Sequence, residues 1–494
     1  MKKTLTFIIA IIFSALLFAQ NEVDALRYSQ INYGGTARFS AMSGAYGAIG
    51  ADFSSLSQNP AGIGLYRKSE LTFTPMVFNG NTESRFLGNN NTDSRNTFYI
   101  GNVGYVMAIE LPENNEMKMK QIQFGFGLNR MATFSNRTFI DGQNNNNSLI
   151  TKYLNDADES GSNPENLYYA PYNFGAALAY DAKLIYQDTN NIWKSDLPFG
   201  GLHQTKNIET RGGTTETVLS AGSNFADKLF VGMTFAFPRI NYQEDSYYFE
   251  KDNNSLSPFL KSFDRTEYLH TTGNGFNFKI GFIYKPIDFV RIGGAFHTPT
   301  YYTNLHDVFS AKMTAIYDQP PLSTTTATVF DANSPNGDYE YDITTPLRAM
   351  GSLAFVLGQF GLISADYEYI DYSTAHLRAR DYNFSSENNT IHTTLTAANN
   401  VRLGTEWKVG ILALRGGYNI YGSPYKGENM TGRGSRTGYS FGFGVRQKIY
   451  FFDFSYSHSS MEDDYNLYNV DIAPPASMNT YNSNSYTLTV GLRM

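Results

Sequence analysis

The chain has 494 residues, of which 17% are charged and 15% are aromatic, and its formal net charge is −7. Its 36 Tyr and 37 Phe residues would collapse into a core, which excludes an intrinsically disordered chain. The apolar run Leu5–Phe18 is shorter than the roughly 18–20 residues of a spanning helix, which excludes a helical membrane bundle. The negative balance gives no global basic field, so no nucleic-acid partner is expected. These exclusions leave a β-rich protein.

The first residues have the layout of a secretory signal peptide. Lys2 and Lys3 precede the apolar run, and the small residue Ala19 follows it. We therefore expect residues 1–19 to be a signal peptide that is cleaved after Ala19. A membrane anchor is the alternative, but the run is too short for one. The chain has no Cys, so it has no disulfide, no thiolate metal site and no lipidated cysteine.

From about Glu70 onward, apolar and polar residues alternate in runs of about ten residues, a period of two that is typical of β-strands. The runs that begin near Leu229, Tyr439 and Tyr486 show the pattern clearly. In a further run, the polar positions Asn277, Lys279 and Gly281 alternate with the apolar positions Phe276, Phe278, Ile280, Phe282 and Tyr284.

The connections between these runs alternate strictly between long and short. The long ones are rich in Asn, Asp, Ser, Thr and Tyr. Six short turns join twelve strands, and a first strand near residues 66–78 and a last near residues 486–494 bring the count to fourteen, with an error of two. The short turns are predicted at Leu111–Met119, Phe225–Asp227, Lys285–Asp288, Gly358–Phe360, Val409–Gly410 and Lys448–Ile449.

This alternation of long and short connections is typical of outer-membrane barrels, which have even strand numbers, short periplasmic turns and long external loops. A closed barrel also leaves no unpaired strand edge in lipid. We therefore predict an all-β fold, a transmembrane antiparallel β-barrel of about fourteen strands over residues 66–494, with apolar faces toward lipid. It would lie in the cell outer membrane of a Gram-negative bacterium, in contact with outer-membrane lipid and lipopolysaccharide. A soluble multi-sheet β protein is the alternative, and it explains the period of two but not the alternation of long and short connections.

One region does not fit the scheme. Ser135–Gly213 is too long for a plain loop and contains a second apolar stretch, Tyr172–Tyr186. It could be an extracellular hairpin, a helix or a miscounted pair of strands, and this choice stays open.

The segment before the barrel does not alternate and is rich in small residues. About 45 compact positions need a place, and a barrel of this width has an interior that such a segment could plug. A periplasmic tail is the alternative, but the apolar residues Phe39, Met42, Tyr46, Phe53, Leu56 and Ile63 favour burial. We therefore predict that residues 20–65 form an N-terminal hatch that plugs the lumen.

Two stretches of this segment carry a resemblance. The sequence from Ala37 to Gly47, followed by Asn59, Pro60, Ala61 and Gly62, resembles the N-terminal signature of the long-chain fatty-acid outer-membrane transporters, the FadL/TodX-like family. The resemblance covers residues 37–65 specifically and the rest of the chain by architecture. It implies a monomeric barrel whose hatch blocks the lumen and carries an Asn-Pro-Ala motif. It also implies that hydrophobic molecules are caught by external loops, pass to a site beside the hatch and leave sideways through a kinked wall strand.

No enzyme chemistry is predicted. Residues 438–442 match the G-x-S-x-G pattern of serine hydrolases, but that elbow needs a strand–turn–helix context, whereas Ser440 lies within an alternating run. The histidines show no paired metal spacing, so neither a metal nor a cofactor is expected. The acidic triplet of Glu462, Asp463 and Asp464 could bind calcium or bridge ions on lipopolysaccharide, although a solvated loop is the simpler interpretation.

The polar faces of the strands predict a basic lumen. Their acidic residues are Asp366, Glu368 and Glu406, and their basic residues are Lys279, Arg291, Arg348, Arg402, Lys408, Arg415, Arg446 and Arg493. Such a wall could attract a carboxylate head group. Alternatively, these charges pair with acids and fix the hatch to the wall.

The leading functional hypothesis is passive uptake of hydrophobic or amphipathic small molecules, such as long-chain fatty acids. The alternative is a FadL-like barrel that serves as a secretion-system or protein-interaction component of the outer membrane.

Overall fold

The structure is a computed structural model that describes residues 22–32, 34–112, 118–197, 200–253, 257, 259–319, 326–427, 433–470 and 475–494. The signal peptide expected over residues 1–19 lies outside these ranges, so it stays a prediction. Within the described ranges, no helix is long and apolar enough to cross a membrane.

The described residues form a closed antiparallel barrel of fourteen wall strands. Each wall strand pairs with the next one in the chain, and the first pairs with the last, so the ring has no free edge. In ring order the wall strands are β1 (Glu70–Phe86), β2 (Asn89–Glu110), β3 (Met119–Thr133), β7 (Leu202–Phe225), β8 (Leu229–Lys251), β9 (Leu260–Ile287), β10 (Val290–His297), β14 (Arg348–Leu357), β15 (Gly361–Asp371), β17 (Ala397–Val409), β18 (Leu412–Tyr421), β19 (Arg436–Arg446), β20 (Tyr450–Tyr465) and β21 (Ser477–Arg493). The predicted fold class is confirmed.

The remaining elements lie in the N-terminal segment and in the long connections. The helices are α1 (Glu22–Ser29), α2 (Ala37–Ala41), α3 (Leu149–Ser160), α4 (Ala176–Asp181) and α5 (Ser385–Thr394). Short 3₁₀ helices span Phe53–Ser57, Pro60–Leu65, Pro164–Tyr168, Tyr172–Phe174 and Tyr372–Thr374. The additional strands are β4 (Asn136–Asn144), β5 (Tyr186–Gln187), β6 (Trp193–Lys194), β11 (Tyr301–Tyr317), β12 (Val329–Asn333), β13 (Gly337–Thr344) and β16 (His376–Arg378).

Several stretches predicted as loops continue the wall strands instead. The first and last residues of three predicted loops are cross-strand partners: Asn79 with Asn96, Asn241 with Thr272, and Ser459 with Ser483. The ladders therefore extend well beyond the apolar belt, and β9 reaches 28 residues. The alternation fades there because polar side chains are mixed with apolar ones, such as Tyr248 and Phe263, that pack against residues 145–197, although the backbone pairing itself continues.

The predicted orientation of the strand faces is also observed. On β9, Phe276, Ile280, Phe282 and Tyr284 are exposed on the outside of the barrel, whereas Lys279 is buried on the inside. The exposed aromatic and aliphatic side chains recur on the other wall strands and form an outer apolar belt.

The region from Ser135 to Gly213 holds no additional pair of wall strands. Strand β4 pairs with the outer part of β7, and residues 145–197 between them contain α3, α4 and the β5–β6 pair. These residues share an apolar core with the external ends of the barrel. Of the three open interpretations, the helical one and the hairpin one are both partly correct.

The short turns lie at the opposite end of the barrel from these extensions. In the turn between β7 and β8, Asp227 accepts hydrogen bonds from Lys120 and Asn224 and pairs with Arg67. Partial burial alone would raise the pKa of Asp227, but the hydrogen bonds from Lys120, Asn224 and Arg67 hold it well below its usual range.

We expect Asp227→Asn to lower stability at pH 7 by about 0.5 kcal/mol, a typical value for exposed ion pairs. A depressed pKa stabilises the folded state above the unfolded pKa of about 3.9, and this contribution is lost as the pH falls further. Urea unfolding at a series of pH values from about 7 to about 2 measures the difference from the wild-type chain, which should shrink steadily below the unfolded pKa. A difference that does not shrink over this range would contradict the assignment to the carboxylate.

Candidate functional site

The N-terminal segment, residues 22–65, lies inside the barrel and is bonded to the inner faces of several wall strands. Asn59 caps the 3₁₀ helix Pro60–Leu65, because its Oδ1 accepts from the Ala61 N–H at 3.1 Å. Its Nδ2 donates to the Gly47 carbonyl at 2.6 Å and to the Phe282 carbonyl of β9 at 3.2 Å. A single side chain thus shapes the Asn-Pro-Ala turn and attaches it to the wall.

Three glycines form the part of the wall that faces this turn, so no side chain projects from the wall at those positions. Gly222, Gly232 and Gly281 are register partners on β7, β8 and β9. A Cβ at Gly232 would overlap the Pro60 carbonyl, and a Cβ at Gly281 would overlap Asn59 Oδ1. The glycines therefore allow the turn to lie directly against the strands.

Gly62, the fourth residue of the predicted motif, has a packing role within the segment. A Cβ there would lie 3.0 Å from the Gly50 Cα and would also overlap the Ser55 hydroxyl. The turn is therefore packed tightly on both sides.

Two buried charge networks join the segment to the wall. In the first, Glu406 accepts from Arg38 of the segment at 2.8 Å and from Arg415 at 2.7 Å. Arg415 also bonds Asp453 at 2.6 Å, and Arg446 lies 3.6 Å from the same carboxylate. The ion pairs therefore run from the hatch-like segment through four wall strands, β17 to β20.

The second network is centred on Glu368. This carboxylate pairs with Arg348 at 2.9 Å and with Arg402 at 3.1 Å. Arg348 also donates to the Ser29 carbonyl at the end of α1. On the same strand as Glu368, β15, Asp366 accepts from the Gly47 N–H at 3.0 Å.

The other predicted basic residues lie outside these two networks and have different partners. Lys279 is buried and bonds Glu216 at 2.5 and 2.6 Å, and Arg493 bonds Glu70 at 2.9 Å. Arg291 donates to the Ile49 carbonyl at 3.0 Å. Lys408 lies on the same face of β17 as Arg402 and Glu406 but is exposed, because it lies near the short-turn end of the strand.

The sequence analysis missed three acidic partners, Glu70, Glu216 and Asp453. Glu70 and Asp453 occupy inward positions of clearly alternating runs, so the same period could have found them. Glu216 was harder to assign because the inward face of β7 also carries Val218. With these acids included, most of the predicted basic wall is paired and fixes the segment in place.

A cavity of about 120 Å³ lies in the lumen beside the N-terminal segment. It lies between Asn32, Gly34, Ser40, Ser43 and Gly44 of that segment and inward residues of the wall. The wall side is lined by Met76, Phe78, Arg130, Thr133, Asn419, Tyr421, Arg436, Ser457, His458, Ser459, Ser483, Ser485 and Thr487. The cavity is therefore polar with two arginines at its edge.

Arg130 and Arg436 have different partners from the arginines of the two charge networks. Arg130 donates to the Gly212 carbonyl at 2.5 Å and lies over the Tyr99 ring at 4.3 Å. Arg436 lies over the Tyr421 ring at 4.2 Å. Among the described residues, neither guanidinium forms an ion pair with a carboxylate. The sequence analysis did not select either residue, because each lies beyond the part of its strand where the alternation is clearest.

The wall is interrupted next to this cavity. The β2–β3 ladder ends at the pair Asn102–Asn129, and the β3–β7 register shifts between Arg130 and Ala132. The N-terminal segment bonds to β3 there, since the Asn32 N–H donates to the Met131 carbonyl at 2.8 Å and the Gly34 N–H to the Arg130 carbonyl at 3.0 Å. Part of the segment thus lies against the strand where β2 no longer pairs.

The remaining residues that were considered for catalysis or metal binding make contacts that stabilise the fold. Ser440 lies in the middle of β19, as expected, and bonds Ser43 of the N-terminal segment at 2.8 Å. In the acidic triplet, Asp463 accepts from the Tyr425 hydroxyl at 3.0 Å and Asp464 pairs with Arg433. In the described part of the chain, no group of three or more His, Asp or Glu side chains is arranged to hold a metal.

Comparison with known proteins agrees with this geometry. No protein-family profile and no curated protein matches the sequence. Among solved structures, a FadL homologue of Pseudomonas aeruginosa aligns with a TM-score of 0.53 at 12% identity, over 93% of this chain and 98% of that one. The chain has the FadL/TodX-like fold. The resemblance noted from the sequence is confirmed at the level of the fold.

Two further structures share the FadL/TodX-like fold over the same extent. The toluene transporter TodX of Pseudomonas putida has a TM-score of 0.51 at 12% identity. The toluene transporter TbuX of Ralstonia pickettii has a TM-score of 0.50 at 14% identity. Each alignment covers 93% of this chain and 98% of the other.

Proposed function

We propose that the protein is an outer-membrane transporter for passive uptake of hydrophobic or amphipathic small molecules, with long-chain fatty acids as the leading substrate class. The outer apolar belt fits a lipid bilayer, and the barrel fold satisfies every strand edge there. Residues 20–65 act as the hatch, supported by the burial of most residues from Gly34 to Leu65 and by their bonds to the wall. The solved structures with this fold include proteins described as toluene transporters.

The observation that carries the proposal is the cavity beside the hatch. Two guanidiniums that form no ion pair with any described residue face a cavity that is also lined by serines. Arginine binds carboxylates with charge-assisted hydrogen bonds, so a carboxylate head group fits this site better than a neutral molecule does. Met76 and Phe78 supply apolar surface beside the interruption of the wall.

The same interruption is our proposed exit. The ladder ends at Asn102 on β2, and the hatch backbone at Asn32 and Gly34 lies beside it. Displacing this short stretch of hatch would connect the cavity with the lipid without separating a paired wall strand. The resemblance implied a sideways exit through a kinked strand, and the register of β3 shifts beside the cavity, between Arg130 and Ala132.

We expect Arg130→Met and Arg436→Met each to weaken oleate binding by roughly tenfold to a hundredfold, since a hydrogen bond to a charged group is worth about 1.5–3 kcal/mol. Binding of oleyl alcohol, which has the same chain without the charge, should change little. Fluorescence titration of the detergent-solubilised protein measures both ligands.

Arg137→Met is the matched control, because Arg137 pairs with Glu209 outside the cavity. Equal losses for oleate and oleyl alcohol would contradict a head-group role for the two arginines. A barrel that binds neither ligand, but copurifies with a stoichiometric protein, would favour the protein-interaction alternative.

A further inference from the structure

Residues 145–197, here named the cap, are attached to the barrel at one point. The cap leaves β4 after Asn144 and rejoins the wall at the start of β7, and Asn144 and Leu202 are cross-strand partners. The Gly201 N–H donates to the Asn144 carbonyl at 2.7 Å. Because both ends leave the same strand pair, the cap can rotate there without breaking the wall.

The cap lies across the external mouth of the barrel. On one side, the Tyr317 hydroxyl of β11 donates to the Lys183 carbonyl at 2.8 Å, and β11 pairs with β9. On the other, the Tyr468 hydroxyl, in the connection after β20, donates to Asn147 Oδ1 at 2.8 Å. Strands β9 and β20 lie on opposite sides of the ring, so connections from both sides meet at the cap.

A buried carboxylate fastens the cap near its point of attachment. Glu250 of β8 accepts from the Leu149 N–H at 2.8 Å, in the first turn of α3, and from Gln204 at 2.9 Å. It also accepts from Ser148, the N-cap of α3. Anions are favoured at this end of a helix, so the contact stabilises the closed position.

The apolar contact under the cap completes the closure. Side chains of α3, including Ile150 and Tyr153, share one buried cluster with Tyr248, Phe263 and Tyr317 of the barrel extensions. In this position the cap packs on the external extensions of β8, β9 and β11.

We propose that the cap is a hinged external lid, closed in this structure, whose opening controls entry to the lumen. The proposal rests on the proposed uptake function and concerns entry, whereas the hatch controls exit. Lifting the lid needs only the loss of side-chain and apolar contacts, because its backbone is joined to the barrel at one strand pair.

The first test joins the lid covalently to the barrel extension that it contacts. The chain has no native Cys, so Lys183→Cys with Tyr317→Cys offers two unique thiols across the lid contact. A short bifunctional methanethiosulfonate reagent joins them, and dithiothreitol releases them. Uptake of radiolabelled oleate into vesicles is measured before and after release.

We expect the joined protein to lose most of its uptake and to regain it with dithiothreitol. The matched control is Thr314→Cys with Asp331→Cys, which are partners on β11 and β12 and join the barrel extension only to itself. Unchanged uptake in the joined Lys183→Cys and Tyr317→Cys protein would overturn the lid, while leaving the transport function intact.

A second measurement tests the lid proposal without relying on transport. Ser457→Cys places a thiol in the lumen cavity, and its labelling by a bulky external maleimide reports access. Adding Glu250→Gln and Tyr317→Phe, which weaken the closed position, should speed the labelling severalfold. Equal labelling rates would overturn the lid, whereas a reduced, unlocked protein that takes up no oleate would overturn the proposed function.

Discussion

Glu406→Gln is expected to destabilise the protein by about 3–5 kcal/mol, the cost of breaking a buried ion pair by removing one partner. Glu406 holds Arg38 of the hatch and Arg415 of the wall, and all three are buried. The substitution leaves two guanidiniums without this countercharge in a dry interior. Urea unfolding in detergent, followed by the fluorescence of the neighbouring Trp407, measures the change.

Asp288→Asn is the matched control for this experiment. Asp288 pairs with Lys285 in a short turn, but its side chain is 98% exposed. Exposed pairs contribute about 0.2–1 kcal/mol, so little change is expected. If both variants unfolded at the same urea concentration, the network would not fix the hatch.

Gly281→Ala is expected to displace the hatch turn and open the lumen to ions. The added methyl group would overlap Asn59 Oδ1, the atom that caps the Asn-Pro-Ala turn. Overpacking of this kind costs about 1–3 kcal/mol, which raises the displaced population by roughly one order of magnitude or more. Conductance across planar bilayers measures the open population.

Gly351→Ala provides the matched control, since a Cβ at Gly351 meets no atom within 4 Å. Both glycines lie in wall strands, so the comparison separates hatch displacement from a general effect on strand stability. Conductance that rises equally in both variants, or in neither, would argue against the hatch turn as the seal.

The period-two pattern was sufficient to predict the barrel and the orientation of its strands. Each strand needs an apolar outer face, so local alternation reports orientation without knowledge of the partner strand. For this reason Phe276, Ile280 and Phe282 were correctly placed outside and Lys279 inside. Five of the six short turns followed from the same pattern, because the alternation stops abruptly at each of them. Residues 113–117 of the sixth, Leu111–Met119, lie outside the described residues.

The period-two pattern did not predict the strand extensions or the cap. Asn241 and Thr272 pair in ladders beyond the apolar belt, where polar residues are mixed with buried apolar ones such as Tyr248, so no regular period marks these stretches as strand. The cap joins α3, α4 and a small strand pair, and its apolar residues find partners only on distant extensions such as Phe263 and Tyr317. A local pattern cannot indicate that those extensions meet above the lumen.

The sequence by itself therefore determined the class of fold and the outward face of each strand. Only the tertiary structure decided which charges pair and which remain available to a ligand. Arg38 and Glu406 are separated by 368 positions, and Arg130 and Arg436 meet one cavity from opposite parts of the ring. The physical reason is that alternation is a property of neighbouring residues, whereas ion pairing depends on strand register and on how the hatch lies in the closed barrel.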